Sequence, residues 1–84
     1  MSMSVPSEKI LARAGRGQFI CVRLNATGDG AVRLKRMGVC EGRELEVIAT
    51  GDPTIVRVCG SRIGLSQELA KRIVVRVASS NGSD

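Results

Sequence analysis

The sequence predicts a mainly β fold: a small barrel of about five strands, with one short α-helix and a single helical turn before the last strand. Three observations predict it. Short aliphatic runs recur with a period of two, the mark of strands with one core face; Leu45, Val47 and Ala49 alternating with Glu44, Glu46 and Ile48 is the clearest. Turn residues separate these runs at short intervals, at Gly38, Gly42, Gly51-Asp52-Pro53 and Gly60-Ser61. One stretch carries a helical stripe, through Ala31, Leu34 and Met37.

Length fixes the scale. Eighty-four residues make one domain. A chain of this size buries only about 60% of its unfolded surface, so every element must contribute to the core. Residues 1–6 read as a disordered leader, 7–77 as the domain and 78–84 as a flexible tail. A hydrophobic content of 43% is too high for a disordered chain. No apolar run approaches the roughly 20 residues that span a bilayer. The N-terminus lacks a basic segment followed by an apolar one, so a cytosolic location is expected.

The elements follow in order. Ser7 is placed to cap a short turn through Glu8, Lys9, Ile10 and Leu11, ended by Gly15. The first strand runs from Gly17 to Leu24, with Ile20, Val22 and Leu24 on one face and Cys21 and Arg23 on the other. Thr27 or Asp29 caps a helix over about Gly30 to Met37, and Gly38 supplies the left-handed residue that ends it. At barely two turns this helix needs tertiary packing to persist. The second strand covers Arg43 to Thr50 and the third Thr54 to Cys59. Gly60-Ser61 suits a two-residue hairpin with a type II′ turn into Arg62 to Leu65. Ser66 caps one turn through Ala70. The last strand is Arg72 to Val77, with Ile73, Val75 and Val77 inward and Arg72 and Arg76 outward.

Closing these strands into a barrel removes sheet edges that so short a chain can hardly cover otherwise. A single helical turn just before the last strand is typical of SH3-like barrels. A five-stranded OB barrel is the alternative, but its helix normally lies between the third and fourth strands.

Composition excludes much chemistry. There is no histidine, which removes the commonest metal ligand and the usual general base. Glu41, Glu44 and Glu46 are the only carboxylate cluster, and a solvated face accounts for them. No catalytic, cofactor-binding or metal-ligating residue is assigned. Three cysteines, Cys21, Cys40 and Cys59, form no CxxC pair; they read as small apolar residues in or beside strands, reduced and kept inert by burial. Gly28-Asp29-Gly30 precedes the helix, where amides are able to cradle a phosphate, but it lacks the Lys and Ser or Thr of a P-loop and reads as a plain loop.

A net charge of +5 raises the question of an acidic partner. The local concentration is Arg33, Lys35 and Arg36 on the expected helix. A small basic nucleic-acid-binding barrel is therefore one functional alternative. Phe19 is the sole aromatic residue, which leaves such a binder without stacking platforms and argues equally against a groove for Pro-rich peptides.

Four segments carry a family resemblance. They are Leu34-Lys35-Arg36-Met37-Gly38-Val39; Glu41-Gly42-Arg43-Glu44-Leu45-Glu46-Val47-Ile48; Gly51-Asp52-Pro53 with Ile55-Val56-Arg57-Val58; and Gly60 to Ala70 with Ile73-Val74-Val75. In their order and spacing, residues from about Ile10 to Val77 resemble a FeoA-type domain. The family commonly has Pro where this chain has Glu41, and Ser7 to Gly17 match only loosely. The resemblance implies an SH3-like barrel that is neither enzyme nor transporter. It implies a cytosolic accessory protein of bacterial ferrous-iron transport, docking on the membrane GTPase permease FeoB. The same domain occurs fused to metal-dependent repressors, but this chain shows no helix-turn-helix. For the contact surface the expected residues are Arg33, Arg36, Met37 and Val39, with the arginines meeting carboxylates. The competing reading makes Met37 and Val39 core and the arginines merely solvated.

Overall fold

Each strand expected from the alternation forms, and one more precedes them. The computed structural model describes residues 8–78. The expected leader, the Ser7 cap and the tail beyond Ala78 lie outside the described residues. The strands are β1 (Glu8–Ile10), β2 (Gly17–Leu24), β3 (Glu44–Ala49), β4 (Thr54–Val58), β5 (Ser61–Leu65) and β6 (Ile73–Val77). The helices are α1 (Gly28–Arg36) and the one-turn α2 (Gln67–Ala70), and a 3₁₀ turn spans Leu11–Arg13.

All strands pair antiparallel in one sheet of order β1-β6-β2-β3-β4-β5. Glu8–Ile10, expected as part of a turn, instead adds an edge strand on β6, with Lys9 opposite Val75. The sheet therefore curls without a β1–β5 ladder. The 3₁₀ turn and α2 pack together in the gap, and each contributes a fully buried residue, Leu11 and Ala70. A short sheet thus limits its exposed edges by laying helical turns over them.

The core is one cluster: Leu11, Phe19, Cys21, Leu34, Val39, Leu45, Val47, Val56, Val58, Leu65, Ala70, Ile73 and Val75. β3 follows its alternation, with Leu45 and Val47 inside. β2 does not follow the expected phase. Phe19 and Cys21 are the inward residues, whereas Ile20 and Val22 are half-buried. The β2–β6 register shifts between Cys21 and Arg23, so one extra residue reverses the phase and returns Leu24 to the core edge. In β6, Ile73, Val74 and Val75 are all buried, as suits a strand with neighbours on both sides. Val77, expected inside, is 54% exposed; it is the last residue of β6 and lies beyond the β1 pairing, which ends at Arg76.

The Gly51-Asp52-Pro53 loop is tied to α2. Thr54 donates its hydroxyl to the Gly51 carbonyl at 2.8 Å, which satisfies the one buried polar side chain of the described core. The Gln67 amide side chain donates to the same carbonyl at 2.6 Å. Ser66 Oγ accepts from the Leu69 amide at 3.2 Å, as its capping position predicts, and Asp52 Oδ1 accepts from the Gln67 amide at 3.3 Å. Two side chains therefore satisfy the first amides of this single turn.

Candidate functional site

The helix α1 begins two residues earlier than expected. Thr27 takes the extended N-cap conformation but makes no side-chain cap bond, and Asp29 sits in the first turn, where its charge favours the helix dipole. The other end is fixed by a full Schellman motif. The Val39 amide donates to the Leu34 carbonyl at 2.9 Å, and the Gly38 amide to that of Lys35 at 3.0 Å. Gly38 makes this possible with φ +95, and its Cα faces Val58 and the Cys59 sulfur across the barrel. The motif's customary apolar contact falls between Leu34 and Val39, both wholly buried.

This geometry sorts the expected contact residues. Val39 is core, because the Schellman bond turns it under the helix; it presents no surface to a partner. Met37 is half-buried against the core cluster. Arg33 and Arg36 are exposed, as is Lys35. At helical spacing Leu34 points inward, so Arg33 and Arg36 point outward. Val32 is 50% exposed on the same helix, three and four residues before Lys35 and Arg36, the spacing of neighbours on a helix surface. The ion pairs among the described residues are Arg23–Glu8, Arg57–Glu46 and Arg72–Glu68, and none engages this helix. All three α1 cations lie in its last turn, where the negative end of the dipole favours them.

Beside the helix lies a cleft of about 350 Å³, floored by Leu24, Ala26 and Ala31 and rimmed by Lys35, Cys40 and Glu41. Sequence reasoning missed both Val32 and this cleft. The signal for Val32 was present, since it falls opposite Leu34 on a helical projection. The cleft had none, because α1 and the chain on either side of it line it jointly.

Among the described residues, no group of three or more Cys, Asp or Glu side chains is arranged to hold a metal ion. Glu46, from the only carboxylate cluster, is instead paired with Arg57 at 2.9 Å. Phe19 is 3% exposed, so the sole aromatic ring offers no stacking platform. None of the described helices is long and apolar enough to cross a membrane.

The curled antiparallel sheet, with its helical turn before the final strand, defines a small SH3-like barrel. Family comparison makes the assignment specific. The FeoA domain family matches residues 11–77, and the chain belongs to that family. The fold is similar to the crystal structure of an iron uptake regulatory protein (FeoA), with TM-score 0.77 and 28% identity over 83% of this chain and 96% of that one. It is also similar to the solution structure of iron(II) transport protein A from Clostridium thermocellum, with TM-score 0.77 and 27% identity over 82% of this chain and 45% of that one. A manganese-dependent transcriptional repressor shares the fold alone, at TM-score 0.80 and 16% identity over 89% of this chain and 44% of that one. Comparison with proteins of curated function found no match.

Proposed function

We propose that this chain is a cytosolic accessory protein of a bacterial ferrous-iron transport system. It catalyses no reaction and acts by docking on the cytosolic GTPase part of a FeoB-type permease. Membership of the FeoA family supports the iron-transport role, as do the names of its structural relatives. The observation that carries the docking surface is the outer face of α1, where half-exposed Val32 shares the helix with Arg33 and Arg36, cations without ion-pair partners among the described residues. An apolar anchor within a charged rim is the usual anatomy of a protein contact. Met37, at the C-cap of this helix, is half-buried against the core.

Calorimetric titration of the chain into the soluble GTP-binding part of such a permease tests the reading. Arg33→Glu with Arg36→Glu is expected to weaken binding by about tenfold or more, since like charges are set against an acidic surface. Circular dichroism should remain unchanged, because both side chains are exposed. Unaltered affinity in the double variant, with affinity indifferent to salt, refutes the surface. No binding by the unmodified chain refutes the partner.

A further inference from the structure

The sheet ends on β5, and a tight turn fixes how that strand faces. Val58 pairs with Ser61 across β4 and β5, so Cys59-Gly60 forms the two-residue loop. Their φ values of +54 and +78 make it type I′, one residue earlier than the type II′ turn expected from Gly60-Ser61. Cys59, expected buried, is exposed in this loop, and Arg43 donates from Nη1 to its sulfur at 3.0 Å. Such a turn closes with the Ser61 amide donating to the Val58 carbonyl. Bonded and non-bonded pairs then alternate along the antiparallel ladder. Val56–Ile63 and Thr54–Leu65 are bonded pairs, whereas Arg57–Arg62 and Ile55–Gly64 are not. The backbone amides and carbonyls of Arg62 and Gly64 therefore point away from β4.

These groups lie on an open edge. β5 is the last strand of the sheet, and no backbone bond outside the ladder reaches Arg62 or Gly64 among the described residues. Both residues are exposed, whereas Leu65, next to α2, is wholly buried. The charges on this edge are one-sided. On the outer face the register lines up Gln18, Glu46, Arg57 and Arg62 across β2, β3, β4 and β5. Glu46 is paired with Arg57 at 2.9 Å. Arg62 stands opposite that arginine, with no ion pair of its own among the described residues. Like charges directly opposite are destabilising, so a carboxylate across the free edge continues the row with the favourable sign. On the inner side half-buried Ile63 packs against the core and leaves apolar surface at the edge. A second copy of this chain supplies no such carboxylate: β5 reads Ser-Arg-Ile-Gly-Leu, and each chain carries a net charge of +5.

We propose that the β5 edge docks an extended acidic segment of a partner protein, which adds to the sheet as a further strand. Its backbone bonds to the amides and carbonyls of Arg62 and Gly64, the source of affinity in strand addition. Its side chains alternate. One sets a carboxylate against Arg62 on the outer face, and the next covers Ile63 with an apolar group on the inner face. Gly64, without a side chain, leaves the incoming backbone unobstructed. The surface is separate from the α1 face and does not depend on the identity of the partner docked there.

The test titrates the full chain, labelled with nitrogen-15, with a blocked peptide of alternating valine and glutamate, and separately with its valine–lysine counterpart. No permease is needed, so failure leaves the α1 reading untouched. The glutamate peptide is expected to shift the Arg62 and Gly64 amide resonances most and to slow their hydrogen exchange, with an affinity that falls as salt rises. The lysine peptide should leave them unmoved. Arg62→Glu should invert this preference, several-fold in each direction. Its urea midpoint should equal or exceed the parent's, because a carboxylate then faces Arg57, which shows that the variant folds. Shifts confined to α1, no response or an equal response to the two peptides, or an unchanged preference in Arg62→Glu overturns the proposal. So do Arg62 and Gly64 shifts that follow the concentration of the chain alone, which would make a second copy the occupant.

Discussion

Replacing Gly38 by alanine tests the device that ends α1. The residue sits at φ +95, where an L side chain is strained by about 1–2 kcal/mol. A second cost comes from space. The new Cβ would lie 3.3 Å from Cys59 Sγ and 3.7 Å from a Val58 methyl. The first contact is tight, but the sulfur belongs to an exposed turn and can shift by tenths of an ångström. An opposing gain of about 0.4–1 kcal/mol comes from the stiffer unfolded chain. Backbone strain wins, and the net expectation is a loss of about 1 kcal/mol. Urea denaturation followed by circular dichroism reads this as a lower midpoint at unchanged slope. Adding Cys59→Ala relieves the contact and leaves φ alone. If strain dominates, Gly38→Ala should cost nearly as much in the Cys59→Ala background. Gly38→Asn should cost less, because Asn tolerates left-handed backbone. Full rescue by Cys59→Ala, or a Gly38→Ala protein as stable as the parent, would refute the reasoning.

Two further outcomes are expected. Leu34→Ala empties a fully buried site beneath α1 and should cost about 2–5 kcal/mol by the same denaturation assay. Cys21 gives a pH signature. Its thiol is raised from 9.0 to about 11 mainly by burial, so its contribution is fully present below pH 9 and is lost as pH rises through 11. The shift is worth roughly 2–3 kcal/mol, and Cys21→Ala should flatten the stability profile in that window relative to the parent.

The FeoA-type fold was legible because its punctuation is local. Gly38, Gly51-Asp52-Pro53 and Ser66 each mark a boundary through their own backbone preferences, and all three boundaries form within a residue or two of expectation. The alternation of Leu45 and Val47 with Glu44 and Glu46 was likewise sufficient, since β3 is regular over those residues. β2 was misread in phase: Ile20 and Val22 looked inward until the shift at Cys21/Arg23 showed where the strand changes face. Glu8–Ile10 has no alternating signature to extend, and it becomes a strand because β6 offers a free edge. The candidate site was half legible. The charges of α1 stand in the sequence, whereas the burial of Val39 and the exposure of Val32 depend on how the helix lies on the sheet.

The sequence by itself determined the main breaks between strands, the position of the helix and the surplus of positive charge, because each of these follows from the preferences of neighbouring residues. Only the tertiary structure decided which face of β2 is inside, that Val39 belongs to the core, and that Arg43 and Cys59, sixteen residues apart, meet in a hydrogen bond. Those outcomes depend on register between strands, where one inserted residue reverses every side chain beyond it, and no local preference carries that information.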